Sequence, residues 1–188
     1  MGRGAGRAGE AAIDEGGKHG QTADALFADL FSSLYDNDRE TVVEELAAAR
    51  PERLNRNADA LITLAQIRVD RGSSREALPL LKHAVELAPK NGGAHDTMAL
   101  AYRTLANWQA ALGEADAAIR IDAEDSTAHY HRACALARLG RKTQAIAALK
   151  RAMEIDDELV DSVEDEEDLK PLAQMPEFKK LIAPKPEK

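Results

Sequence analysis

Cysteine, aromatic residues and long apolar runs are all scarce in this 188-residue chain. The one cysteine, Cys134, cannot form an internal disulfide, so the fold has to hold without covalent staples, and a reducing compartment suits it. One Trp, three Tyr and three Phe are few for a sheet protein, whose faces favour aromatic and β-branched side chains. No segment reaches the roughly 20 apolar residues needed to cross a bilayer, so no membrane insertion is expected. Basic residues are outnumbered, 25 Lys and Arg against 33 Asp and Glu, for a formal net charge of −8. That balance excludes the clustered cations that displace counterions from nucleic acid, and no nucleic-acid partner is expected. A phosphate-cradling glycine loop and a nucleophile elbow are also missing. The first seven residues carry charge with no apolar stretch behind them, which does not read as a signal peptide. Cytoplasmic residence is the expectation, or periplasmic if a leader has been removed.

What the chain has in quantity is alanine, and the alanines are periodic. Aligning Ala58, Gly92 and Ser126 brings Ala65, Ala99 and Ala133 into one column, Ala77, Ala111 and Ala145 into a second, and Ala84, Ala118 and Ala152 into a third. One supersecondary unit is repeated, and a unit of this length cannot bury its apolar face alone. Copies therefore stack into a solenoid, all-α by composition, with small residues where helices cross closely. Each unit divides at its middle, at Arg71-Gly72, Ala106-Asn107 and Gly140-Arg141. Ser73 followed by Glu76 reads as a capping box opening a second helix, and Pro79 should bend that helix.

The organisation expected is a flexible arm over 1–21, which holds most of the glycines, and a degenerate capping helix pair over 22–57. Three full units follow over 58–159, divided 58–91, 92–125 and 126–159. C-terminal capping helices are expected over 160–183, and a short tail over 184–188. The acidic run from Asp156 to Asp168 reads as a solvated edge or, alternatively, as a docking site for a basic partner.

The order Leu64, Ala65, Gly72, Ala77, Leu81, Ala84 and Pro89 in the first unit resembles the tetratricopeptide repeat family. So do Met98, Ala99, Tyr102, Ala111 and Ala118 in the second, and Ala133, Gly140, Ala145, Leu149 and Ala152 in the third. Departures are Ala123 and Asp157 where proline commonly ends a unit, and His95 and His129 where tryptophan is typical. The ending with Leu169, Leu172, Phe178, Leu181 and Ile182 resembles the segment that caps bacterial arrays of this family. The resemblance implies a right-handed α-solenoid and a non-enzymatic scaffold that binds a protein or peptide in a concave groove lined by the first helices. Self-assembly of the chain and a role as an accessory subunit of an enzyme are the alternatives.

Helical periodicity then selects the residues opposite the buried face as groove candidates: Ile62, Thr63, Gln66 and Asp70, then Asp96, Thr97, Leu100 and Arg103, then Thr127, Tyr130, His131, Cys134 and Arg138. Family members that grip acidic chaperone C-termini use lysine, arginine and asparagine on successive first helices. The matching places here hold Ile62, Gln66, Thr97, Thr127 and His131, so an acidic chaperone C-terminus is not the expected partner. His129 and His131 are two residues apart and point to different sides of a helix, so no metal site is expected. No cofactor is implied, and no spacing of Ser, His and Asp assembles a catalytic triad.

Overall fold

The computed structural model describes residues 23–37, 39–163 and 165–183; the arm expected over 1–21 and the tail over 184–188 lie outside these. Helix starts follow the repeat because the capping residues do. Asn57, Asn91 and Asp125 each accept a backbone N–H of the turn they open, from Ala60, Gly93 and Ala128. They open α4 (Ala58–Asp70), α6 (Gly92–Thr104) and α8 (Ser126–Arg138). These first helices alternate with second helices α5 (Ser74–Leu87), α7 (Trp108–Ile121) and α9 (Lys142–Ile155). Before them lie α1 (Ala23–Asp36), α2 (Glu40–Ala49) and the single turn α3 (Pro51–Leu54). The described residues contain helices and turns and no strand.

The turns inside the units are also periodic. Gly72 and Gly140 take positive φ of 76° and 75°, and between them Ala106 takes φ 55°, a left-handed conformation that costs a Cβ-bearing residue about 1 kcal/mol or more. The expected capping box does not form: Ser73 makes no side-chain cap, and Glu76 turns instead to Arg68 at 3.7 Å. Pro79 does lie inside α5, where it removes one intrahelical hydrogen bond.

Packing is sequential, first helix to second helix within a unit and second helix to the next first helix between units. All nine column alanines are fully buried. With no side chain beyond Cβ they let the helix backbones approach, and the larger Leu61, Leu81, Leu136 and Leu149 fill the spaces between. At the C-terminal end a 3-10 turn (Asp157–Leu159), α10 (Val160–Val163), a longer 3-10 segment (Glu167–Leu172) and α11 (Pro176–Ile182) complete the stack. Val163, Leu169, Leu172 and Phe178 are buried in one cluster with Ala133, Ala145 and Leu149 of the last unit. The Glu167–Leu172 segment packs mainly against α8 and less against α9, so it leans toward the first-helix side of the solenoid.

Ala111→Leu is expected to lower stability by about 1–3 kcal/mol, since the added side chain overfills a closed helix crossing. Ala117→Leu, on the same helix and half-buried, should cost much less. Urea melts of the two variants compare them, and equal losses would place the crossing elsewhere.

Candidate functional site

The groove positions sit on one face of successive first helices, and the structure divides them into two halves. In α4, Ile62, Thr63 and Gln66 are half-buried and Asp70 is exposed; in α6, Asp96 and Leu100 are half-buried. Tyr35 of α1 donates its hydroxyl to Asp70 Oδ2 at 2.9 Å, and Gln66 Nε2 donates to Asp70 Oδ1 at 2.8 Å. The Tyr35 phenol is pushed up to about 12, by burial first and then by the bond to Asp70 and that carboxylate's charge. In this half the candidate positions are half-buried or exposed.

The other half differs. Arg103, His131, Cys134 and Thr97 are buried, and only Thr127 and Arg138 among their neighbours on the candidate face are exposed. Thr97 turns its hydroxyl to the carbonyl of Gly93 at 3.0 Å, which withdraws it from the face. What covers the rest is the chain itself. Arg103 donates through Nε to Asp168 Oδ2 (2.9 Å), through Nη2 to Glu166 Oε2 (2.9 Å) and through Nη1 to His131 Nδ1 (2.9 Å). Its guanidinium also lies over the Tyr130 ring, 5.4 Å from the centroid, and Tyr130 donates its hydroxyl to Glu166 Oε2 at 2.6 Å. Arg138 stacks on Trp108 at 4.7 Å and approaches Asp168 at 3.8 Å. The expectation that Arg103, Tyr130, His131 and Cys134 line an open surface is therefore corrected: Arg103 and Tyr130 hold the acidic C-terminal segment, His131 bonds Arg103, and Cys134 is buried in the cluster with Leu169 and Leu172.

Protonation states follow from that burial. His131 is pushed down to about 3 by burial and by the Arg103 charge, so it is neutral and its Nδ1 accepts from the guanidinium. Burial pushes the Cys134 thiol up to about 12 against the opposing charge of Arg103, which keeps it protonated and unreactive. For Glu166 burial works against ionisation, but the bonds from Tyr130, the Asp168 N–H and Arg103 outweigh it and hold the carboxyl below its usual range. Cys134, Glu166 and Asp168 bring their ligand atoms within 4.8 Å of one another, yet the positive charge that such a cluster calls for is supplied by Arg103.

A second electrostatic feature lies at the joint between the second and third units. Asn57 and Asn91 reach back to the preceding unit through their amide donors, to Asp24 O at 2.5 Å and to Asp59 Oδ1 at 2.8 Å. Asp125 stands at the equivalent place with no N–H to give, and the side chain it meets is Asp96. Burial, and then the bond and charge of Asp125, push Asp96 up to about 8, and its Oδ1 has no hydrogen-bond partner. Asp96 therefore keeps its proton near neutral pH.

The sequence model of the family described as Tetratricopeptide repeat matches residues 126–159. No curated protein matches the chain in the sequence comparison. Among solved structures, the thermophilic TPR protein TTC0263 of Thermus thermophilus is similar with a TM-score of 0.62 and 23% identity, over 85% of this chain and 95% of that one. MamA is similar with a TM-score of 0.61 and 20% identity, over 82% of this chain and 90% of the other. A MamA fragment from Desulfovibrio magneticus RS-1 gives 0.58 and 19%, over 72% and 76%. Residues 126–159 are thus a tetratricopeptide repeat, and the chain as a whole has the tetratricopeptide-repeat fold. No described helix is long and apolar enough to cross a membrane.

Two outcomes follow from these networks. Arg103→Ala leaves Glu166 and Asp168 facing each other without their cation and should cost about 3 kcal/mol in urea melts, whereas Arg138→Ala should cost less than about 1 kcal/mol. Asp125→Asn keeps the cap and restores an amide donor toward Asp96. Asp96 has a raised folded pKa, so its stabilising contribution is complete below about pH 4 and is lost as pH rises through about 8. Asp125→Asn should therefore exceed the parent by about 1–2 kcal/mol at pH 8.5, with the gap closing toward pH 4. Thermal melts across that range measure it, and a gap independent of pH would exclude Asp96 titration as its cause.

Proposed function

We propose that the chain is a non-enzymatic scaffold that binds a protein or peptide segment along its concave first-helix face, over the part left open between α1 and α6. The observation that carries this reading is the arrangement in the other half of the same face. There a short 3-10 segment of the chain with its capping residue, Glu166 to Leu172, is held by side chains of two successive first helices, Arg103 from α6 and Tyr130 from α8. A face that seats such a stretch in cis in one half repeats its backbone register in the other, and stacked repeats use extended surfaces of this kind for partners. Ile62 and Leu100 offer partly exposed apolar area there, and Gln66 and Asp70 offer polar contacts.

An enzymatic reading finds little support. The thiol of Cys134 is buried and protonated, and His131 has its Nδ1 engaged by Arg103, so neither serves as nucleophile or base. The acidic segment across Arg103 also speaks against recognition of an acidic chaperone terminus, because Arg103 is already paired with Glu166 and Asp168 and Arg138 lies beside Asp168.

Full-length protein used as bait in a native lysate, with mass spectrometry of what it retains, tests the reading. Ile62→Lys and Leu100→Lys should each lower recovery of the specific partner at least tenfold with helicity unchanged, while Lys82→Ala and Lys150→Ala on exposed positions of second helices retain it. Loss of capture from the second-helix changes alone would move the partner to the other face.

A further inference from the structure

The open half of the groove carries charge of one sign. Its first-helix positions bring Asp36, Asp59, Asp70 and Asp96 to the face, and no lysine or arginine stands among the equivalent positions until Arg103, which is committed to Glu166 and Asp168. Other nearby acids are already answered: Arg71 pairs with Glu40 at 2.9 Å and Glu44 at 2.8 Å. Asp96 keeps its proton beside Asp125, while Asp59 accepts at one oxygen from the neutral Asn91 amide and so retains its charge. Asp70 is more fully oriented than Asp59. Both of its oxygens are fixed by donors, but the donors are a phenol and an amide, which are neutral, so its full charge stays on an exposed, oriented carboxylate. No ion pair among the described residues includes it. Asp36 lies close enough to Tyr35 to add to the field on the same hydroxyl.

Orienting an exposed anion with two neutral side chains gives little to the fold, since neither donor carries an opposite charge. It does prepare a site, because a cation arriving there meets a carboxylate whose rotamer is already set. Beside it Ile62 is packed against both the α1 side and the α6 side of the floor, and Leu100 continues that apolar strip. A free metal ion or a small polyamine would use the charge and leave this strip bare, whereas a peptide would use both.

We infer that the segment seated in the open half of the groove is basic, an extended stretch of a partner protein that places an arginine or lysine on Asp70 beside Asp36 and apolar side chains over Ile62 and Leu100. This rests on the groove reading above and adds the partner's chemistry to it. The register is bounded at one end, because the segment meets Glu166 and Arg103 where the cis segment begins. Asp70 is the recognising anion, and Tyr35 and Gln66 are positioning residues that act through it.

The test uses the full chain and two labelled nine-residue probes, Arg-Ala-Leu-Ala-Arg-Ala-Leu-Ala-Arg and its counterpart with glutamate for each arginine, followed by fluorescence anisotropy. The basic probe should bind and the acidic one should not. Asp36→Asn with Asp70→Asn should weaken the basic probe at least tenfold, and Glu86→Gln with Glu177→Gln, an equal loss of charge at exposed sites off the face, less than twofold. Asp70→Lys, checked for an unchanged helical spectrum, should abolish binding. Equal weakening by the two double variants would reduce the effect to net charge and overturn the inference, as would binding of the acidic probe or no binding of the basic one. The groove reading fails separately: if the Ile62→Lys and Leu100→Lys baits lose their partner while Asp36→Asn with Asp70→Asn keeps it, the groove stands and the basic partner falls. If none of these changes affects capture, both fall.

Discussion

Close approach of helix backbones at alanine is the constraint from which the other features of this fold follow. The column alanines remove side-chain bulk at each crossing, so neighbouring helices meet at a distance that nearly any larger residue would prevent. Once that spacing is repeated, each unit repeats its offset from the last, and everything attached to the frame repeats with it. The caps at Asn57, Asn91 and Asp125 and the left-handed residues at Gly72, Ala106 and Gly140 share one register. The candidate first-helix face is a product of the same register, because residues opposite a periodic buried stripe recur with the same period.

A stack built this way has a weakness at its ends, where the next unit is missing and the last apolar face is uncovered. The C-terminal segment meets that need with Leu169, Leu172 and Phe178, and it solves a second problem at the same place. Arg103 is buried by its surroundings, and a buried guanidinium without anions is far costlier than an exposed one. Glu166 and Asp168 provide the anions, Tyr130 and His131 complete its hydrogen bonds, and the network ties the second unit, the third unit and the cap together. The acidic run is therefore not uniform in role: Glu166 and Asp168 turn inward, while Asp165 and Glu167 face solvent.

How much of this could be read from the sequence depends on the range of the interaction. The units and the all-helical class come from alanine spacing and were legible, as were the breaks at Gly72 and Gly140, because they are local and repeated. Local signals failed where a longer contact competed: Ser73 and Glu76 have the capping-box spacing, but Glu76 turns back to Arg68 of the preceding helix. Arg103 was legible as a face residue and not as a buried one, because its partners lie 65 and 63 residues downstream in a segment outside the repeat frame. Cys134 and His131 changed character for the same reason. Asp96 left a faint trace, the substitution of Asp125 into a column otherwise held by Asn57 and Asn91, which marks the one joint where the amide donor is lost.

Repetition by itself makes every unit's face equivalent, and equivalent faces do not select a partner. Selectivity in such a stack has to come from where the repeat is broken. Here one break is chemical, since Arg103 occupies the column held by Tyr35 and Val69 in the preceding units and draws the acidic segment onto α8. The other is positional, since Tyr35 lies one unit before Asp70 and fixes it from the neighbouring helix. The first break removes the cationic half of the face from use, and the second leaves an oriented anion in the half that remains. The charge of this face is therefore set as much by what the chain has covered as by what it exposes.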